Sequence, residues 1–111
     1  VFNCDKIIIS GKRVNVVAHE KERRDRKGYP LKSAKFSRLP DRFVRRSIRG
    51  MLPWKSTRGK EAFHRVLCYI GVPIEFQGKT MVQIKTASAE KYPTLHYITV
   101  GEVCKGLGGK R

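Results

Sequence analysis

Positive charge in this chain is concentrated in one stretch, residues 12 to 65. Of the 25 Lys and Arg residues 18 lie there, with 5 of the 9 acidic residues, which leaves a net charge of +13. The other 57 residues hold 7 cations and 4 acids, a net charge of +3. Because unpaired charges are costly to bury, most of these side chains must lie outside the core. We therefore expect one strongly cationic surface, built by the first half of the chain.

The formal charge of the whole 111-residue chain is +16, and such a surplus favours a polyanionic partner. The alternative is a very soluble basic protein. Nucleic acid is favoured over an anionic membrane, because no basic amphipathic stretch carries the aromatic edge used at membrane surfaces. There is no run of 18 apolar residues, so a membrane-spanning helix is not expected. The first ten residues, VFNCDKIIIS, do not resemble a secretory signal.

Short apolar segments predict the strands of a small core in a single domain. The clearest is KIIIS, a β-branched run that Gly11 closes, which is typical of a buried strand. The strand candidates are residues 1–3, 6–10, 68–70 and 97–100.

Helices are predicted on both sides of the basic region. Residues 13–24 favour a helix with Val14, Val17 and Ala18 on one side. Its charged end, KERRDRKG, is expected to be solvated or to face a partner. Residues 102–107 predict a short helix near the end of the chain.

Residues 25–40, DRKGYPLKSAKFSRLP, predict a long loop, because Gly, Pro and Ser recur without a regular period. Irregular stretches of this length in a compact domain are often functional. The alternative is a disordered basic linker, although such linkers are poor in aromatic residues. Here cations suited to phosphates alternate with rings suited to bases. The candidate phosphate-binding residues are Lys27, Lys32, Lys35 and Arg38, and the candidate base-stacking residues are Tyr29 and Phe36.

Residues 41–52 predict a helix that is apolar on one side and cationic on the other. Asp41 is suited to cap its start, and Met51 is expected with Leu52 at the edge of the core. The apolar side is expected to consist of Phe43, Val44, Ile48 and Leu52. The cationic side carries Arg42, Arg45, Arg46 and Arg49. One acid cannot neutralise four arginines, so this side is a candidate surface for nucleic acid.

Pro53 ends this helix, and WKSTRG forms a joint to a second helix near residues 59–67. Ser56 or Thr57 is suited to cap the second helix. The free N–H groups at a helix start attract anions. Trp54 either fills the joint or stacks on a base. The cations expected to complete a phosphate seat here are Lys55, Arg58 and Lys60.

Catalytic, metal-binding and cofactor-binding motifs are lacking in the sequence. Cys4, Cys68 and Cys104 show neither paired nor zinc-type spacing and are expected to be buried, reduced thiols. There is no phosphate-binding glycine loop, zinc-protease motif or serine-hydrolase motif. We therefore expect no enzyme, no cofactor and no metal. A nucleotide-handling enzyme on an α/β fold is the remaining alternative of that class.

The stretch RRSIRGMLPWKSTRG, residues 45–59, closely resembles the signature of the large-subunit ribosomal protein L13 family in its archaeal and eukaryotic form. The family pattern is a helix with R-x-x-RGMLP, then K-x-x-RG and a second helix. KIIISG, YIGVPIEF and YITVGEVCKGLG resemble other family segments, so the resemblance covers nearly the whole chain. Two features depart from the pattern. Family members begin with about one more strand and one more helix before the point where Val1 falls. In the loop before the Arg-rich helix, members usually read closer to N-P-x-R-G-P-Y, whereas here the order of Pro and Tyr is reversed, as Tyr29 and Pro30.

The resemblance implies an α/β fold, a three-layer α/β/α domain around a small, mostly parallel sheet, incomplete at its N-terminus, with basic helices and a loop on one side. It implies a single domain over residues 1–111, with the RNA-facing region at residues 12–65. The implied function is that of a structural constituent of the large ribosomal subunit, in the cytoplasm, that binds and stabilises folded rRNA. The implied partners are rRNA and neighbouring ribosomal proteins, with no membrane and no small-molecule substrate. A non-ribosomal RNA- or DNA-binding module is the alternative.

Overall fold

Four α-helices and two short strands form the regular structure of the described residues, which are 1–26, 28–29, 31–32 and 36–110 of a computed structural model. In chain order the elements are β1 (Ile8–Ser10), α1 (Arg13–Asp25), α2 (Pro40–Met51), α3 (Thr57–His64), β2 (Tyr97–Thr99) and α4 (Val100–Gly106). Three 3₁₀ turns lie between α3 and β2, at Ile74–Phe76, Lys85–Ala87 and Ala89–Lys91. The four predicted helices are confirmed to within a few residues. None of these described helices is long and apolar enough to cross a lipid bilayer.

The two strands pair in antiparallel orientation, with Ile8 opposite Thr99 and Ile9 opposite Ile98. The prediction of a mostly parallel sheet is therefore wrong for the described part of the chain, and a three-layer arrangement is not confirmed. The described residues combine helices with one small antiparallel sheet. Strand direction cannot be read from a short β-branched segment, because the pattern of apolar residues is the same in both directions.

The first four residues and residues 67–71 lie side by side and run in the same direction without forming strands. The backbone N–H of Tyr69 donates to the carbonyl of Val1 at 2.9 Å, and that of Asn3 donates to the carbonyl of Gly71 at 3.1 Å. Asn3 has a φ of 53°, a left-handed conformation that interrupts the extended backbone. The sequence predicts a strand in each segment, and neither prediction is correct.

Helix α4 is the centre of the core. Its buried side chains recur at the spacing of one helix face and are Val100, Val103 and Cys104, and Leu107 continues this face just after the helix ends. They pack in two clusters, one with Cys4 and Val44 and the other with Ile98. Thr99 and Glu102 form a capping box at the start of the helix, in which each side chain accepts a backbone hydrogen bond.

Helix α1 turns Val16 and Val17 towards the Ile98 cluster. Val14 is 76% exposed and Ala18 is exposed as well, so the prediction that these two residues belong to the buried side is wrong. The sequence allows two helix faces, one with Val14 and Val17 and one with Val16 and Val17. Packing against α4 buries the second. That face continues at i+3 or i+4 spacing through Glu20 and Arg24, which are half-buried.

Cys4 and Cys104 are buried free thiols, as predicted, and Cys68 is half-buried. Burial raises the pKa of each buried thiol to about 11, because the thiolate would lose its hydration. The neighbouring Cys68 adds to the effect at Cys4, and the carboxylate of Asp41 adds to it at Cys104.

We expect Cys4 and Cys104 to resist alkylation in the native protein. At pH 8 these thiols are almost entirely protonated, and the thiolate is the reactive form. Iodoacetamide labelling followed by peptide mass spectrometry should be much slower than in protein unfolded with guanidinium. Since the unfolded state releases these protons at lower pH, stability should also fall as the pH rises from 9.0 to about 11. Equal labelling rates in both states would contradict this prediction.

Candidate nucleic-acid interface

Helix α2 is anchored to the core by the apolar side that the sequence predicts. Val44 is buried, and Phe43 and Ile48 pack against the cluster that contains Cys4 and Cys104. The helix begins at Pro40, whose fixed φ suits a first helical turn. Asp41 therefore lies inside the first turn, where its charge complements the helix dipole. The predicted capping role of Asp41 is wrong.

The C-terminal end of α2 departs from the predicted core edge. Met51 is 80% exposed, so the expectation that it belongs to the core edge is wrong, whereas Leu52 is half-buried. Met51 follows Val44 by seven residues, so the two side chains lie on the same face of the helix. That face is buried at Val44, where the helix packs on the core, and exposed at Met51. This end of the helix extends beyond the small core.

Three of the four arginines of α2 lie over aromatic rings. Arg42 is exposed, and the other three are half-buried. The distances from guanidinium carbon to ring centroid are 4.7 Å for Arg45 over Phe63, 4.1 Å for Arg46 over Phe36 and 4.6 Å for Arg49 over Trp54. Such contacts attract the cation to the ring and restrict the rotamers of a long side chain. The guanidinium groups of Arg45, Arg46 and Arg49 are thus held in place before any partner binds.

The rings of Phe36 and Trp54, which are predicted to stack on bases, therefore already contact guanidinium groups. Trp54 also meets Phe63 edge-on, with centroids 6.5 Å apart, and remains 41% exposed. It fills the joint in part. Tyr29 is 64% exposed. Base stacking by the three predicted rings stays a prediction, restricted at Phe36 and Trp54 to the faces that the arginines leave open.

The joint between α2 and α3 is closed by Ser56 and Gly59. The Ser56 hydroxyl donates to the carbonyl of Pro53 at 2.8 Å and accepts the N–H of Gly59 at 3.2 Å. Of the two predicted cap candidates, Ser56 is therefore the cap, and Thr57 is the first residue of the helix. Gly59 is buried, and a Cβ there would collide with the carbonyl of Pro53. The cations that surround this helix start are all exposed and are Lys55, Arg58 and Lys60. Their predicted role as a phosphate seat stays a prediction.

The loop before α2 is only partly within the described residues. Lys32 is exposed and lies in a turn in which its N–H donates to the carbonyl of Tyr29 at 3.1 Å. Arg38 is exposed and donates to the carbonyl of Gly108 at 3.3 Å, so it also ties the loop to the end of α4. The predicted phosphate-binding residues Lys27 and Lys35 lie outside the described residues.

Two arginines of α1 line the space opposite α2, and neither is among the site residues predicted from the sequence. Arg23 lies 5.5 Å from the centroid of Phe36 and donates to Glu20 at 2.9 Å. Arg24 donates to the carbonyl of Leu107 at 2.9 Å. The basic end of α1 is visible in the sequence as KERRDRKG. Its position opposite α2 is a tertiary feature that no local pattern reveals.

The arginines of the two helices repel one another. The pKa of Arg46 is lowered, chiefly by burial and then by the charges of Arg49 and Arg23. A bound anion would relieve this repulsion, whereas a neutral ligand would not. Among the described residues, no group of three His, Cys, Asp or Glu side chains is arranged to hold a metal ion.

Known proteins resemble this chain over almost its whole length. The family model of ribosomal protein L13 matches residues 1–75. The large ribosomal subunit protein uL13 of Archaeoglobus fulgidus is 42% identical over 109 residues, which cover 97% of this chain and 69% of the relative. The uL13 proteins of Methanopyrus kandleri and Methanosarcina barkeri are 39% and 36% identical over 110 residues, with 97% and 99% of this chain and 69% and 78% of the relatives covered. The chain therefore belongs to the ribosomal protein L13 family.

Proposed function

We propose that this protein is a structural constituent of the large ribosomal subunit that binds and stabilises folded large-subunit rRNA. The observation that carries the proposal is the set of α2 guanidinium groups held over aromatic rings, next to exposed cations at the start of α3. The relatives are named as proteins of the large ribosomal subunit, which supports that subunit as the particle to which this protein would belong. The proposed location is the ribosome in the cytoplasm, beside neighbouring large-subunit proteins.

The chain is not an enzyme, because the family to which it belongs consists of ribosomal proteins. Its function is therefore one of binding. The residues proposed to contact rRNA in the described part of the chain are Lys32, Arg38, Arg42, Arg45, Arg46, Arg49, Lys55, Arg58 and Lys60. Lys27 and Lys35 are proposed on the basis of the sequence.

Binding would be driven by neutralisation of closely packed phosphates. Each cation that meets a phosphate releases condensed counterions, so affinity would fall steeply with salt. Arg is well suited to this role, because its planar guanidinium can contact two oxygen atoms of a phosphate at once. The major groove of A-form RNA is too narrow for side chains, so recognition would depend on RNA shape and on unpaired nucleotides. Neutralisation would allow RNA segments that repel one another to approach.

Co-sedimentation with large subunits tests this proposal. A tagged copy of the protein should remain with the particle through a sucrose gradient at high salt, because the many proposed contacts to rRNA and to neighbouring proteins act together. A non-ribosomal RNA- or DNA-binding module would dissociate and stay at the top of the gradient. That result, with purified rRNA also failing to bind the protein, would refute the proposal.

A further inference from the structure

A cavity of about 530 Å³ lies between α1 and α2, in the region proposed above to face RNA. Its apolar part is formed by Ile9, Phe43 and Leu107, and Phe36 contributes a ring at the side. Small-molecule sites in proteins commonly range from about 300 to 1,000 Å³. The cavity thus has room for a single nucleotide, and an RNA double helix is far too wide for it. We refer to it as the α1–α2 cleft.

The α1–α2 cleft is strongly cationic. Among the described residues, four arginines line it, Arg23 and Arg24 from α1 and Arg46 and Arg49 from α2, together with one carboxylate, that of Glu20. Four positive charges and one negative charge leave a net charge of +3. Arg23 is oriented by its hydrogen bond to Glu20, and the other three arginines are held by the contacts described above. A site that presents several fixed cations around an apolar floor suits an anion attached to a planar or apolar group.

Gly50 provides an independent observation about the same cleft. It lies in the last turn of α2 and lines the cleft, is exposed, and has a φ outside the left-handed region. Outside its own stretch of the helix, a Cβ at this position would meet no described atom within 4 Å. A helix interior favours Ala over Gly, so the described fold gives no reason for glycine here. Gly50 leaves space beside Arg49 into which a ligand backbone can approach closely.

We propose that the α1–α2 cleft binds one unpaired nucleotide of the rRNA. Its phosphate contacts Arg23 and Arg46 on the two walls and Arg49 at the end of α2. Its sugar passes Gly50, and its base lies against Phe43 and Leu107. Unpaired nucleotides of folded RNA are commonly recognised in this way, by apolar or aromatic contacts to the base and cations at the phosphate. The inference rests on the proposed function and adds α1 to the RNA-binding surface.

Filling the cleft without a change in charge gives the sharpest test. In Gly50→Leu, a side chain that favours helix occupies the space beside Arg49. We expect the affinity for large-subunit rRNA to fall about tenfold or more, a loss of the size expected for charge-assisted contacts. The slope of affinity against salt should fall as the phosphate contacts are lost. The melting temperature should be unchanged or higher, and Gly50→Ala, with one methyl group, should lose less affinity than Gly50→Leu.

A second experiment removes one cation from the wall of the α1–α2 cleft. Arg23→Gln should lower the rRNA affinity and reduce the salt slope by about 0.7, the value expected for one phosphate of unpaired RNA. The matched control is Arg13→Gln, which removes the same charge from the other end of α1, about 15 Å away. This control should leave the slope close to that of the unaltered protein.

The inference is overturned if Gly50→Leu binds rRNA as tightly as the unaltered protein, or if Arg23→Gln and Arg13→Gln have equal effects. In either case binding of rRNA by the unaltered protein would persist, so the proposed function would survive. If the unaltered protein does not bind rRNA, the proposed function fails first. A nucleoside monophosphate that binds as tightly as rRNA, and loses binding in Gly50→Leu, would overturn the assignment of the cleft to RNA.

Discussion

Replacement of Arg42, Arg58 and Lys60 by Gln together should lower the affinity for large-subunit rRNA about 100-fold and reduce the salt slope by about 2 to 3. All three side chains are exposed, so their removal takes away charge without opening a cavity. The fold should therefore be retained. Filter binding or fluorescence anisotropy at several salt concentrations gives both quantities, and circular dichroism reports on the helices.

The choice of residues for that variant follows from the stacking on α2. Arg45, Arg46 and Arg49 each pack on a ring, so their truncation would remove packing as well as charge. A matched control replaces three exposed lysines outside the basic stretch, Lys85, Lys91 and Lys110, by Gln. This control lowers the net charge equally and should change affinity much less. Equal losses in the two triple variants would show that only net charge matters and that no docking face exists.

Gly59→Ala should destabilise the protein by about 3 kcal/mol, near the upper end for overpacked sites. The added methyl group would overlap the carbonyl group of Pro53 and would lie 2.9 Å from the backbone nitrogen of Trp54. These neighbours are backbone atoms, so no side-chain rotation relieves the contact. The joint between α2 and α3 would have to open, and the Ser56 cap would be lost. Urea unfolding followed by circular dichroism measures the change in free energy.

Gly50→Ala is the matched control for that prediction, because it makes the same chemical change in the helix before the joint. Its methyl group enters open space, so stability should stay the same or rise by up to about 1 kcal/mol. Close backbone packing in the joint thus requires glycine at position 59, whereas nothing in the described fold requires it at position 50. Coincident unfolding curves for the two variants would contradict the geometry of the joint.

The sequence predicts most elements of the fold because their signals are local. The recurrence of apolar residues at helical spacing places α1 and α2. Ser56 or Thr57 marks the start of α3, and the β-branched segments place β1 and β2. Which valines of α1 are buried depends on how the helix packs against α4, and Val14 is therefore misassigned. The direction of strand pairing likewise depends on long-range contacts rather than on the strand residues.

The candidate site is predictable in composition but not in shape. The arginines of α2 and the cations around α3 follow from spacing along the chain. Their partners Phe36 and Phe63 are 10 and 18 residues from the guanidinium groups that they hold, too far for any local rule. The α1–α2 cleft is even harder to predict from local signals, because a long loop separates the two helices that form its walls. Its size and charge appear only when both helices are packed against α4.

The central position of α4 has a consequence for the nascent chain during synthesis. Both clusters of buried side chains need residues between 98 and 107, which are translated after all the cations of residues 12–65. A nascent chain therefore exposes its whole basic half before the helix that organises it exists. During that interval, folding cannot compete with non-specific binding of polyanions. Newly made chains should accordingly depend on a protecting factor, or on rapid delivery to their RNA, more than mature molecules do.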